Sequence, residues 1–395
     1  MPWPIKELLT MKEEFVSLAL QEEANIRALC RSYRISPACG YKWLKRYEEQ
    51  GSSGLAERSR RPHSHPSTTG PELEQAIVEL RHQHPAWGGR KLRRRLLDLG
   101  YRRVPATSTI SAILERNGLL NPNSPSARGP WSRFEHPYAN DLWQMDFKAP
   151  LRTLRSGLCH PLTLLDDHSR FSLKIEPCAN QRLETVKVAL QQTMERYGLP
   201  RAILCDNGSP WRGAEPACSF SLLSVWLLRV GVDVWHGRPY HPQTQGKEER
   251  FHRTFQLEVL DRTTAWLDHP HCRSQFEDFR HCYNLQRPHQ ALQLAVPASR
   301  YQPSERVFPA QLPQIEYLAE DQVRLVRTKG EVKFKGKLYY VGQAFGRLPV
   351  AFRPTNQDGH FDLFFSWKKI GWLDLHDPLT LSTYRPALCR PASEH

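Results

Sequence analysis

The sequence predicts a multidomain chain: N-terminal all-α helix-turn-helix units, a central α/β region built on a mixed sheet, and a small C-terminal β-barrel. Three observations carry this. Apolar residues at helical spacing, broken by short turns, fill residues 6–120. Strand and helix signals then alternate from 142 to about 260. After 316 the pattern becomes short strands around glycine turns. At 395 residues the chain exceeds one typical domain, and 39% apolar residues are enough for several packed cores.

Charge narrows the function classes. The net charge is +14, and residues 1–135 hold 22 Lys and Arg against 14 Asp and Glu, so more than half the excess lies in the first third. Such a distribution favours a nucleic-acid partner over a merely basic soluble protein. Nine cysteines with no Cys-x-x-Cys pair argue against a disulfide scaffold or a zinc ribbon, and suit a reducing cytoplasm. His269, His271, Cys272, His281 and Cys282 cluster loosely, at spacings that match no zinc pattern. No stretch reaches the length of a membrane span, and the N-terminus lacks a signal peptide's apolar core.

Residues 1–50 read as a helix-turn-helix domain of three helices. Leu8, Leu9, Met11, Phe15, Leu18 and Ala19 share one helical face. Asn25 to Tyr33 gives a second helix, and Ser36-Pro37 starts a third, with serine as N-cap and proline at N1. The third helix carries Tyr41, Lys42, Trp43, Lys45 and Arg46 and stops at Gly51, the arrangement of a helix that enters a major groove. Residues 51–70 read as an unpacked linker whose Arg58, Arg60 and Arg61 could follow phosphates or a minor groove. A second helix-turn-helix-like domain spans 71–120. Leu73, Ile77 and Leu80 mark its first helix, the break runs from His84 to Gly89, and Ser108 or Thr109 caps its third. Its second helix crowds Arg90, Lys91, Arg93, Arg94 and Arg95 together, a density that points to phosphate. A second linker covers 121–135.

In Leu142–Lys148 the side chains alternate, with Trp143, Met145 and Phe147 on one face and Gln144, Asp146 and Lys148 on the other. Aspartate is a poor strand former, so Asp146 in mid-strand asks for a functional reason. Leu162–Leu165 and Phe171–Ile175 make two further strands around the turn Asp166-Asp-His-Ser169. Asp166 and Asp167 are rival carboxylates, but capping the turn is reason enough for them. A helix from about Leu183 to Tyr197 ends at Gly198. Ala202–Gly208 reads as a buried strand running into a turn, with Asp206 at its carboxyl end, where open α/β sheets place ligand groups; an ordinary Asx turn is the competing reading. Residues 221–230 form an apolar helix and 232–235 a last strand. His241–His252 then reads as a loop opening a helix with Glu248 and Glu249 in its first turns. These two point about 100° apart, so only one can face a fixed site, and the hydrophobic pattern does not choose.

Taken together, Trp143-Gln-Met-Asp146-Phe, Cys205-Asp206-Asn-Gly208, His241-Pro-Gln-Thr-Gln-Gly246-Lys-Glu-Glu249-Arg-Phe-His-Arg253 and Tyr283–Leu292 resemble an insertion-sequence transposase of the Asp-Asp-Glu type with a retroviral-integrase-like core. The resemblance implies a ribonuclease-H-like core over 136–310, a mixed five-stranded sheet with helices on both faces. It implies Asp146, Asp206 and Glu249 as catalytic, metal-holding residues, Glu249 being the acid three places after Gly246, with two Mg²⁺ or Mn²⁺ per site. Lys247, Arg250 and Arg253 would clamp the DNA backbone, and His241 and Gln245 would position DNA near the cut. The chain departs from the pattern in the 42 residues between the last two acids, with the extra length expected in 211–220, and in lacking the integrases' N-terminal zinc module. The basic tail, 316–380, is similar to the small C-terminal barrels of integrases. The resemblance further implies transposon ends and target DNA as partners, a homo-oligomer on paired ends, and a cytoplasmic, nucleoid-associated protein. The alternatives are a DNA-binding regulator with a silent core and a nuclease that cuts without joining.

Overall fold

The computed structural model describes residues 5–57, 69–120, 135–206, 208, 211, 220–236, 246–376 and 381–383. They fall into two compact units, 1–69 and 70–395.

The first unit holds α1 (Ile5–Ala19), α2 (Ile26–Ser32) and α3 (Pro37–Gln50). Asn25 Oδ1 accepts from the Ala28 N–H at 3.0 Å, and Ser36 Oγ from the Cys39 N–H at 3.2 Å, so each cap satisfies a donor the helix start leaves open. Phe15, Val16, Cys30, Trp43, Leu44 and Leu55 form the core. Trp43 is buried, with Lys12 Nζ 3.8 Å from its ring centroid, so it anchors α3, while Lys42 and Lys45 are exposed. One expectation changes here: the segment expected to be unpacked begins later than Gly51. Residues Gly51–Leu55 form a 3₁₀ turn whose Leu55 is fully buried, and Lys12 holds the Leu55 carbonyl at 3.2 Å and Glu57 at 2.8 Å. Burial of Leu55 together with the two Lys12 contacts folds that stretch back onto the core.

The second unit starts with α4 (Pro71–Gln83), α5 (Gly89–Asp98) and α6 (Thr107–Arg116) around Ile77, Leu80, Trp87, Leu92, Leu96 and Ile110. Helix α6 starts at Thr107 with no side-chain cap, which leaves Ser108 and Thr109 inside its first turn instead of capping it.

The α/β part contains β1 (Leu142–Phe147), β2 (Leu151–Thr153), β3 (Gly157–Asp166), β4 (Ser172–Cys178), α7 (Leu183–Tyr197), β5 (Ala202–Cys205), α8 (Leu222–Arg229) and β6 (Asp233–His236). They build a mixed sheet in the order β4-β3-β1-β5-β6, with β2 added against the start of β3. The β1–β3 and β3–β4 pairs are antiparallel, while β1–β5 and β5–β6 are parallel. Gly198 ends α7 at φ +78°, and a Cβ there would collide with the Ser304 carbonyl, so the close crossing of residues 304–306 requires glycine. Helices α7 and α8 cover one face through Trp143, Met145, Leu190 and Leu227. The other face is covered by α9 (Gly246–Phe255), which runs on into a π-helical turn (Gln256–Leu260), and by α10 (His269–Leu285). Phe251, Phe255, Phe276 and Phe279 pack there on Leu165 and Ile175. The polar stripe expected on β1 is therefore largely covered, and Gln144 is 1% exposed.

The tail forms β7 (Gln322–Leu325), β8 (Glu331–Phe334), β9 (Lys337–Tyr340), β10 (Pro349–Pro354), β11 (His360–Phe365), β12 (Lys368–Asp374) and β13 (Leu381–Thr383). Among the described residues these make an antiparallel sheet in the order β13-β12-β11-β10-β7 and a separate β8–β9 hairpin, with no ring of pairing that closes a barrel. Their core, including Phe334, Phe352, Leu363 and Phe365, takes in Phe220, Val225 and Leu228 from the α8 region. Trp367 also donates to the Leu228 carbonyl at 2.9 Å. The tail is docked on the α/β part.

Candidate active site

Register brings the first two acids together. The parallel β1–β5 ladder pairs Gln144 with Leu204, and two residues further along lie Asp146 and Asp206. Adjacent strands are separated by about 4.8 Å, so the two side chains leave the same end of neighbouring strands. Asp206 Oδ1 accepts from the Gly208 N–H at 2.9 Å, the Asx turn that was the competing reading, and its carbonyl meets His236 Nδ1 at 2.9 Å. The turn fixes the carboxylate without using its second oxygen.

Burial settles how Glu248 and Glu249 divide on α9. Glu248 lies in one stripe with Phe251, His252 and Phe255, at i, i+3, i+4 and i+7, and is 1% exposed. Glu249 lies in the next stripe with Arg253 and Gln256. It lines an open cleft of about 440 Å³ together with Lys148, His252, Arg253, Gln256 and Leu257. Asp146 registers the other two acids electrically. Burial, then Asp206 and more weakly Glu249, push its carboxyl up to about 6, against the Phe147 N–H that donates to its Oδ1 at 2.8 Å. Among the described residues, no three His, Cys, Asp or Glu side chains stand close enough to hold one metal ion as they are.

Beside this cleft Thr163 lies opposite Asp146 in the β1–β3 ladder. Its hydroxyl reaches the Asp146 carbonyl (3.0 Å), His252 Nε2 (2.8 Å) and Glu248 Oε1. His252 Nδ1 is 3.8 Å from Asp146 Oδ2. Burial drives the Glu248 carboxyl up to about 8, and burial followed by Lys148 drives the His252 ring down to about 4. Sequence reasoning missed Thr163 and His252. The signal for Glu248 was present, because it is in phase with Phe251 and Phe255.

Asp166 and Asp167 are fully buried and saturated. Asp166 accepts from the Ser169 and Asn140 N–H groups, both at 2.8 Å, and from the Ser169 hydroxyl. Asp167 accepts from Gln144 Nε2 at 2.7 Å and the His136 N–H at 2.9 Å, and is ion-paired with Lys247. Lys247, expected to clamp DNA, is thus turned onto Asp167, and burial pulls its ammonium down to about 8. Arg250 and Arg253 are exposed. On α5, Arg90 is exposed, Arg94 pairs with Asp98 at 2.9 Å and Arg93 donates to the Pro105 carbonyl. Lys91 lies against the core, its ammonium pulled down to about 7 by burial and then by Arg287. The histidines and cysteines at 269–282 are spread along α10, and Cys272 lies in the apolar core. Arg58, Arg60, Arg61, His241 and Gln245 lie outside the described residues.

Comparisons with known proteins match separate parts of the chain. Residues 11–63 match a helix-turn-helix domain and 39–114 a homeodomain-like domain. Residues 136–242 and 230–297 match integrase core domains. Residues 321–378 match the C-terminal domain of the IS481 family transposases. The chain is 27% identical over 254 residues to an insertion element IS476 protein of Xanthomonas euvesicatoria, covering 62% of this chain and 69% of that one. It is 26% identical over 188 residues to an insertion element IS407 protein of Burkholderia multivorans, covering 47% and 59%. Among solved structures, it is similar to a simian T-cell lymphotropic virus intasome in complex with PP2A regulatory subunit B56 gamma (12% identity, 80% and 99% covered, TM-score 0.38). It is also similar to the catalytic core domain of BIV integrase (18%, 40% and 92%, TM-score 0.30). No helix among the described residues is long and apolar enough to cross a membrane.

Proposed function

Since this chain carries the domain set of an insertion-sequence transposase with an integrase core, we propose that it binds transposon ends and catalyses metal-dependent DNA cleavage and strand transfer through Asp146, Asp206 and Glu249. The observation that carries this reading is the parallel β1–β5 register, which sets Asp146 and Asp206 side by side at the ends of adjacent strands, where burial, then Asp206 and more weakly Glu249, push the Asp146 carboxyl up to about 6. Repulsion among like charges is what a bound cation relieves, and three carboxylates with no thiolate suit Mg²⁺ or Mn²⁺ over zinc. Two such ions per site would activate the attacking water or 3′-hydroxyl and stabilise the leaving oxygen.

The chain's own groups supply the rest. Asp146 and Asp206 present carboxylates from adjacent parallel strand ends, and Glu249 presents one from α9. Arg250 and Arg253, with Lys148 at the cleft, neutralise the phosphates flanking the cut, as contacts that position without reading sequence. His241 and Gln245 place the strand near the acids. End recognition falls to Lys42, Lys45 and Arg46 on α3, with Arg58, Arg60, Arg61, Arg90, Arg93 and Arg94 along the backbone. The division into domains at 1–50, 71–120, 136–310 and 316–380, a ribonuclease-H-like core, closure of the tail into a DNA-contacting barrel, a homo-oligomer on paired ends, and a cytoplasmic, nucleoid-associated setting belong to the same proposal.

The test is Glu249→Gln assayed on DNA carrying the element's ends. Nicking and strand transfer should vanish while end binding stays. Full activity would refute the assignment. Loss of joining alone in the unmodified protein would favour a nuclease, and neither activity with intact binding would favour a regulator.

A further inference from the structure

We propose that Glu248, Thr163 and His252 form a buried hydrogen-bonded strut that sets the position of Asp146, which makes them positioning residues for the site. The inference rests on the assignment of Asp146, Asp206 and Glu249 made above.

The argument is a count of protons. The Thr163 hydroxyl has one proton to give and two lone pairs to receive. It has three polar neighbours: the Asp146 carbonyl at 3.0 Å, His252 Nε2 at 2.8 Å and Glu248 Oε1. A carbonyl can only accept, so Thr163 donates to Asp146. Glu248 and His252 must then both donate to Thr163. Glu248 serves as a carboxylic acid, and its burial at 1% exposure fits a neutral group better than a charged one. His252 carries its proton on Nε2, so Nδ1 is an acceptor and makes no hydrogen bond to Asp146 Oδ2, 3.8 Å away. Asp146 is therefore held at its main chain by Thr163, and the His252 ring only bounds the space its carboxylate occupies. Among the described residues Glu248 Oε2 makes no hydrogen bond, so this acid's polar contact goes into the strut. Outer-shell groups that fix a metal-holding residue in place typically cost about 10- to 100-fold in metal affinity when lost.

The experiment uses the full chain and measures Mn²⁺ binding by the loss of the free-ion spin-resonance signal, with melting temperature and strand transfer alongside. Glu248→Gln keeps a donor in the same place and should bind Mn²⁺ and join DNA within about threefold of the unmodified protein. Glu248→Leu, which fills the space without a donor, should keep its melting temperature and weaken Mn²⁺ binding about tenfold or more. His252→Ala should weaken binding similarly, and the Glu248→Leu/His252→Ala pair should cost less than the sum of the two. Unchanged Mn²⁺ binding in both Glu248→Leu and His252→Ala overturns the strut. So does a loss in Glu248→Gln as large as that in Glu249→Gln, because Glu248 would then itself be a ligand. Asp146→Asn and Glu249→Gln run in parallel as controls. If neither alters Mn²⁺ binding, the site assignment itself fails, whatever the strut variants do.

Discussion

Two pairs of acids lie in the same sheet and have opposite surroundings. Asp166 and Asp167, at the end of β3, are fully buried, and their oxygens are taken up by backbone N–H groups, Ser169, Gln144 and Lys247. Asp146 and Asp206, at the ends of β1 and β5, are only partly buried, each with one oxygen held by a nearby backbone N–H. The first pair is complete and holds the fold. In the second, burial, followed by repulsion from Asp206 and more weakly from Glu249, raises the Asp146 carboxyl to about 6. Under the proposed assignment, degree of burial would rank the two pairs the wrong way round, and the partners of their oxygens would rank them correctly.

The comparison is sharpest in activity. Asp146→Asn should reduce strand transfer by at least about 10⁴-fold, more than 5 kcal/mol of transition-state stabilisation, whereas Lys247→Met with Asp167→Asn should leave measurable joining. A time course on end-containing DNA checks both. Next comes folding: Asp167→Ala removes the buried carboxylate that Lys247, Gln144 and the His136 N–H share and should destabilise the second unit by about 3–5 kcal/mol in chemical denaturation.

The third prediction has the opposite sign. The Asp146 carboxyl titrates higher in the folded chain than in the unfolded chain, so the charged form penalises the metal-free fold. That penalty is complete above pH about 6, shrinks as pH falls toward 4, and is absent below. Asp146→Asn should therefore stabilise the metal-free protein by about 2 kcal/mol at pH 7.5 and by nothing near pH 4, read from melting curves at both. If Asp146→Asn destabilises at pH 7.5, the two acid pairs are alike after all. The smallest effect sets the floor: Arg94→Ala, which removes an exposed pair with Asp98, should change stability by less than about 0.5 kcal/mol.

Much of this was legible in residue order. Ser36-Pro37 started α3 and Gly198 ended α7, because caps and turns are local chemistry. Asp146 stood out as an aspartate in mid-strand. Leu55 was misread because a run of Gly and Ser looks unpacked until a core is there to receive its one apolar side chain. Lys247 was misread because its partner, Asp167, is 80 residues away.

The sequence by itself determined where capped helices such as α3 begin, the excess of cations in the first third, and the three acids that the family pattern marks. Those properties depend on neighbours within a turn or a strand. Tertiary structure decided that Gln144 pairs with Leu204, so that Asp146 comes beside Asp206. It also decided that Phe251 and Phe255 face inward, which buries Glu248 on Thr163 and leaves Glu249 at the cleft. Strand register and helix rotation are fixed only when apolar faces from distant segments are buried together, and no local run of residues contains that information.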